Sequence, residues 1–293
     1  MKAVVTGGAG FIGSNLCRGL LDARYEVFSV DDYSAGYEAN LDGLPVRQLH
    51  CDISDDIWLN HIFEQIGAVD VIFNNAAAKK NVCLNNPIRD MEVNIRGAFN
   101  VAHKAKQLGA KLVHASTGSI YGEAIGVQDE GHSLNPVSNY GVSKLAGEKY
   151  VRMICPDSVV LRYFHVYGAR QESSDLTGGV VAIWKRRIAE GKDIVIYGDG
   201  SQRRSFTYVD DVVRANILAA ERGAGVYNCV SGYMYTLNDL IAEFRNYGQF
   251  GLTYDNWLEG DIKDFTVDNT RLTNLGMSWT KLEDGLKDYY GKN

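Results

Sequence analysis

A short apolar run, Lys2-Ala3-Val4-Val5-Thr6, is followed at once by Gly7-Gly8-Ala9-Gly10-Phe11-Ile12-Gly13 and then by a helix-length amphipathic stretch ending at Asp22. Glycines at this spacing permit a tight turn between a buried strand and a helix, and few folds use that junction. The pattern then repeats. Apolar runs at 26–30, 46–50, 70–73, 111–115 and 158–162 alternate with helical periodicity over 57–65, 88–107 and 144–153. Strands that are continuously apolar and separated by helices are buried on both faces. The chain therefore reads as an α/β protein with a Rossmann-type, doubly wound parallel sheet.

The character changes after Arg170. A polar, Gly-containing loop spans 171–179, helices read over 180–190 and 209–222, and a strand over 193–197 ends in Gly198-Asp199-Gly200. The expected division is a Rossmann domain over 1–168 and a smaller α/β substrate domain over 169–293, with segments near 193–230 returning to the main sheet. The net charge of −6 offers no basic stripe for nucleic acid. No apolar run reaches the ~20 residues that span a bilayer, and the first residues lack the apolar core of an export signal. Cys17, Cys51, Cys83, Cys155 and Cys229 fit neither a disulfide framework nor a zinc pattern. The expectation is a cytoplasmic protein with reduced thiols, no metal site, and neither a nucleic-acid nor a membrane partner.

The glycine turn ends at a helix N-terminus, where unpaired N–H groups face an anion such as a pyrophosphate. The alternative is a Gly-rich turn without a ligand. Asp31 closes the second strand at the interval where an acid holds adenosine ribose hydroxyls. A carboxylate there repels a 2′-phosphate, and no Arg follows closely, so NAD is favoured over NADP. Asp32 either shares this role or is solvated. Asp52-Ile53 either bracket the adenine edge or belong to a helix start capped by Asp52 or Ser54.

At the far end of the sheet the fifth strand runs into Ala115-Ser116-Thr117-Gly118-Ser119-Ile120-Tyr121-Gly122, a cluster of hydroxyls that reads either as a capped turn or as a donor aimed at a substrate. About two dozen residues later, Tyr140-Gly141-Val142-Ser143-Lys144 puts a phenol and an ammonium on one helical face. A cation beside a phenol lowers its pKa from ~10 towards neutrality, which suits a general base.

TGGAGFIG, VDDYSAG, NNAAA, STGSIYG, YGVSK, LRYFHVYGAR, YGDGSQRRSFTYVDDVV and YNCVSG together resemble the extended short-chain dehydrogenase/reductases, and more narrowly the NAD-dependent sugar-nucleotide epimerase/dehydratases. The resemblance runs along essentially the whole chain and is nearest to galactose-type 4-epimerases. It implies catalysis by Thr117, Tyr140 and Lys144. It implies an NAD site built from Gly7, Gly10, Phe11, Ile12, Gly13, Asp31, Asp32, Ser34, Gly36, Asp52, Ile53, Asn75, Ala76, Ala77, Lys79, Asn94, Ser116 and Tyr163 together with Tyr140 and Lys144. A nucleoside-diphosphate sugar would meet Thr117, His165, Arg204 and Phe206, with Arg204 on the diphosphate and Phe206 lining the base pocket. The plain alternatives are loop chemistry for Ser119, an exposed lysine for Lys79, core packing for Tyr163 and a surface charge for Arg204.

All such enzymes would begin by oxidising sugar C4. The 4,6-dehydratases place an Asp-Glu pair after the catalytic Thr, where this chain has Gly118 and Ser119. Without those acids, 4-epimerisation through a 4-keto sugar is the expected reaction. A nucleotide-sugar 4-keto reductase or a 4,6-dehydratase of the same family is the enzymatic rival, and an inactive nucleotide-binding sensor or scaffold the rival of another class. His165 replaces the usual Asn, and Leu258 stands where a second phosphate-binding Arg is usual, two residues before Gly260. The resemblance also implies a homodimer joined through the helix at 88–107 and the helix carrying Tyr140.

Overall fold

The computed structural model describes residues 1–175, 178–257 and 265–291. β1 (Lys2–Thr6) leads through the glycine turn into α1 (Phe11–Asp22), followed by β2 (Glu26–Asp31), β3 (Arg47–His50), α2 (Asp56–Ile66), β4 (Val71–Asn74) and β5 (Lys111–Thr117). The strands Val159–Tyr163 and Gly225–Cys229 complete a seven-stranded parallel sheet. Its order is Gly225–Cys229, Val159–Tyr163, β5, β4, β1, β2, β3. The chain leaves β3 at one edge and re-enters as β4 on the other side of β1. That reversal opens a crevice at the carboxyl ends of β1 and β4, the place where such sheets bind ligands.

Alternation along each strand divides the core into two layers. Ala3 and Val5 face α1 and the helix Val209–Arg222, packing with Leu16, Leu20, Val212 and Ala215. Val4, Val30 and Ile72 face the other way, onto Ile62, Phe63, Val101 and Val151. Both layers are dry, which is why the strands read as unbroken apolar runs. A third cluster, built on Trp184, Ile194, Ile196, Phe244 and Leu286, gives the C-terminal part a core of its own. Within it Ile194–Tyr197 pairs with Leu252–Asp255, so the segment that rejoins the main sheet is the helix Val209–Arg222 with the strand Gly225–Cys229.

Two local expectations change. α2 is capped by Asp55, which accepts from Ile57 and Trp58 N–H, and not by Asp52 or Ser54. The single helix read over 88–107 is three segments. Pro87–Met91 and Ala98–Leu108 are α-helical, and Glu92–Gly97 between them is a π-helix. The wider turn sets Asn94, which is buried, against four partners: Ala78, Cys83, Asp90 and Ser143. π-segments of this kind tend to occur at functional sites.

Candidate active site

One pocket runs along the crevice from Asp32, Asp52 and Arg89 at one end to Ala115, Ser116, Tyr140, Lys144 and Tyr163 at the other. Its floor is the glycine turn. Gly7 has φ 66°, and a Cβ there would lie 2.7 Å from the Ala76 nitrogen. Side chains are thus excluded where a ligand backbone must approach. No side chain caps α1, and Phe11, Ile12 and Gly13 of its first turn line the pocket. Asn75 also lines it, with a buried Nδ2 that has no hydrogen-bond partner among the described residues. Unfilled donors and a side-chain-free cradle fit the pyrophosphate and amide groups of a dinucleotide.

At the adenosine end, Asp31 is almost enclosed. Its two oxygens accept from Ala9 N–H and Tyr33 N–H, both at 2.9 Å, which pins the glycine turn to β2. Burial holds its carboxyl above the usual range, against those two hydrogen bonds. Asp52 accepts from Ser54 N–H and Oγ, both at 2.8 Å, and pairs with Arg89 at 2.7 Å. Desolvation pushes its pKa up, but the Arg89 and Ser54 hydrogen bonds outweigh it and leave the group below the usual range. Ser34, Gly36, Ile53, Ala76, Ala77 and a half-buried Lys79 complete this wall.

The helix Asn139–Ile154 supplies the other end. Ser138 caps it by accepting Gly141 N–H at 3.1 Å, which fixes where Tyr140 emerges. Lys144 is buried, and its Nζ donates to Ala115 O at 2.6 Å. Burial pulls its pKa down to about 8, against the nearby Glu148 charge. The Thr117 hydroxyl acts on the Tyr140 phenol to lower its pKa. The expected net lowering does not occur here. Burial raises it to about 12 and outweighs the effect of Thr117. Thr117 itself caps a 3₁₀ turn over Gly118–Tyr121, accepting Ser119 N–H at 3.2 Å, and Ser119 is exposed. The hydroxyl cluster is therefore both things at once, a capped turn and a donor set beside Tyr140.

Most predicted residues meet in this one pocket, and five do not line it. Thr117 acts through Tyr140. Asn94 lies behind the wall, where its Oδ1 accepts Ala78 N–H at 2.9 Å and so holds the loop carrying Lys79. Phe206 is 2% exposed and sits in the C-terminal core, so it is packing and not an open wall for a base. His165 is exposed and adopts φ 40°, a left-handed conformation in which Asn, Asp and His are over-represented. That backbone explains the usual Asn at this position. His165 stacks edge-on to Phe265 at 6.3 Å and feels the Arg204 charge. Leu258 and Gly260 lie outside the described residues.

Three contributors escaped the sequence reading. Ser116 lines the pocket but donates its proton to Glu148 at 2.9 Å. Glu148 in turn holds Arg162 at 2.7 Å, both essentially unexposed, and Arg162 donates to the Tyr121 hydroxyl at 2.6 Å. The signals were present: Glu148 is four residues after Lys144, and Arg162 is a lone charge in an apolar strand. Arg89 gave no local signal. Tyr163 reaches the pocket and accepts from Asn216 Nδ2 at 2.8 Å, beside Asn75 at 3.3 Å.

A glycine-floored crevice at the sheet reversal, ending in Thr117, Tyr140 and Lys144, is matched over residues 3–229 by the model of the NAD dependent epimerase/dehydratase family. The chain belongs to that family. NAD is accordingly its cofactor. A Methanocaldococcus jannaschii protein, provisionally named a UDP-glucose 4-epimerase, is 32% identical over 97% of this chain and 95% of its own length. Among solved structures, the Thermotoga maritima UDP-glucose 4-epimerase with UDP-glucose has a TM-score of 0.92 at 34% identity, covering 100% of this chain and 99% of that one. The Thermus thermophilus UDP-glucose 4-epimerase with NAD has a TM-score of 0.90 at 30% identity, covering 99% of this chain and 98% of that one.

Proposed function

We propose that this epimerase inverts C4 of a nucleoside-diphosphate sugar, in particular a UDP-sugar, with Tyr140 as the base. Bound NAD supplies the two-electron acceptor and donor, so that the sugar passes through its 4-keto form. Tyr140 takes the proton of the 4-hydroxyl and returns it, and Thr117 shares that hydrogen bond. Lys144, anchored on Ala115, holds a positive charge beside the phenol below pH about 8. Tyr163, tied to Asn216, forms part of the pocket wall. His165 and Arg204 together supply the nitrogen donors for the diphosphate.

One observation carries the choice of reaction. A Cβ on Gly118 would lie 2.2 Å from Phe164 Cε1, and that ring is buried in a cluster with Tyr121 and Val230. The first of the two positions that a 4,6-dehydratase fills with acids is thus closed to any side chain, and the second is Ser119, whose hydroxyl is a far weaker acid than a carboxyl group. The names of the similar structures, which pair UDP-glucose with 4-epimerases, support the same reading.

The remaining assignments follow. Residues 1–168 with the returning helix and strand hold the cofactor, and 169–293 otherwise hold the nucleotide sugar, as their separate core supports. Five unpaired cysteines, and no helix among the described residues long and apolar enough to cross a membrane, favour a cytoplasmic enzyme. Exposed apolar side chains on the Tyr140 helix and its neighbour favour a homodimer. Tyr140→Phe should lose roughly 10²- to 10⁴-fold in turnover with the fold retained. NMR of UDP-sugar mixtures during turnover checks this, and stoichiometric loss of added NADH would point to a reductase instead.

A further inference from the structure

Arg89 comes from the short helix Pro87–Met91, far in sequence from the acids it meets. Its Nη2 lies 2.9 Å from Asp32 Oδ2, and its Nη1 lies 2.7 Å from Asp52 Oδ2 and 3.6 Å from Glu92. Nη1 also donates to Ser54 Oγ at 3.3 Å. Arg89, Asp32 and Asp52 all line the adenosine end of the pocket, and each keeps between a quarter and a third of its side chain exposed. One guanidinium thus ties together the loops after β2 and β3, and three carboxylates outnumber it.

This arrangement bears on which dinucleotide fits. A 2′-phosphate brings nearly two negative charges. Here it would meet surplus carboxylate, and the guanidinium beside those carboxylates is already engaged on both of its terminal nitrogens. Guanidinium is nevertheless the side chain whose fork best matches phosphate. We propose that Arg89 sets cofactor choice: clamped by Asp32 and Asp52 it leaves an NAD-selective pocket, and freed from Asp32 it becomes the ligand of a 2′-phosphate. Asp31 at the end of β2, unchanged in the variants below, and Asp32 beside it both repel such a phosphate. Arg89 adds a latent attractive site that Asp32 keeps occupied.

The inference rests on the NAD assignment, and the test separates the two. Purified protein is dialysed to equilibrium against mixtures of NAD⁺ and NADP⁺, and the bound dinucleotides are released and quantified. Wild type should retain NAD⁺. Asp32→Ser should shift the binding ratio towards NADP⁺ by at least about tenfold, and Asp32→Ser/Arg89→Met should lose most of that shift. Asp32→Asn, closer in shape, carries the same comparison if the serine variant does not fold. A shift of equal size with and without Arg89 would mean relief of repulsion only and overturn the proposal, as would no shift. Wild-type protein binding neither dinucleotide would instead overturn the cofactor site itself.

Discussion

At the scale of single residues, burial acts on Tyr140 and Lys144 in opposite directions and towards the same end. It raises the phenol to about 12 and lowers the ammonium to about 8, favouring the neutral form of each. These shifts keep the phenol protonated at neutral pH. Positive charge brought close to it, as a bound oxidised nicotinamide would bring, favours the phenolate that a base requires. A stability measurement reports the lysine directly. Between pH 8 and 10.5 the unfolded chain keeps a proton on Lys144 that the native state has released, so stability rises with pH in that window. The buried Tyr140 acts with the reverse sign, and only above pH 10, where the native phenol holds its proton and the unfolded one does not. Urea denaturation of the cofactor-free protein should show wild type gaining roughly 2 kcal/mol relative to Lys144→Met between pH 7 and 10. A flat difference would mean that Lys144 is not desolvated as its contacts indicate.

At the scale of elements, the catalytic helix is positioned by contact with the π-segment. A Cβ on Gly147 would lie 2.3 Å from Asn94 O, so Asn139–Ile154 and Glu92–Gly97 touch backbone to backbone. Gly147→Ala must push them apart and move Tyr140, Lys144 and Asn94 together. The expected result is a loss of about 1–3 kcal/mol in denaturant stability, with turnover falling more than dinucleotide binding at the Gly7–Gly13 end. Equal losses at both ends would show that the two helices do not set the geometry. Sequence reading reached this level unevenly, for physical reasons. The strands were legible because both faces of the sheet are dry, and α1 because a glycine turn must end in something. The Tyr140 helix was legible from its spacing, although its start at Ser138 was not read. The π-segment was not, because its extra residue interrupts no apolar face. Arg89 meets Asp32 only through tertiary folding. Phe206 was misassigned because an aromatic in a polar stretch looks the same whether it lines a cleft or fills a core. Glu148 and Arg162 were readable in principle, since a buried ion pair shows itself as charges where apolar residues belong.

At the scale of the whole molecule, the helical segments beside the active site also carry several exposed apolar side chains. Leu84, Ile88, Met91 and Phe99 on one side, and Val142, Tyr150 and Met153 on the other, are exposed, with Met153 at 75%. Phe99 and Tyr150 meet edge to face at 5.6 Å, which joins the two sides at that point. Apolar side chains exposed on neighbouring helices are costly to leave in water, and in the homodimer proposed above a second copy related by twofold symmetry would cover them with the same residues. Because Tyr140 lies on one of those helices, that interface and the chemistry would share a support. Light scattering at micromolar concentration should give twice 32.4 kDa for wild type, and Phe99→Glu/Met153→Glu should give the single-chain mass. If the helices are set by the partner, the monomeric variant also loses turnover while keeping NAD binding, because the glycine turn opens α1, which packs on the opposite face of the sheet. A wild-type monomer with full activity would mean that these side chains serve another surface and that each subunit builds its site alone.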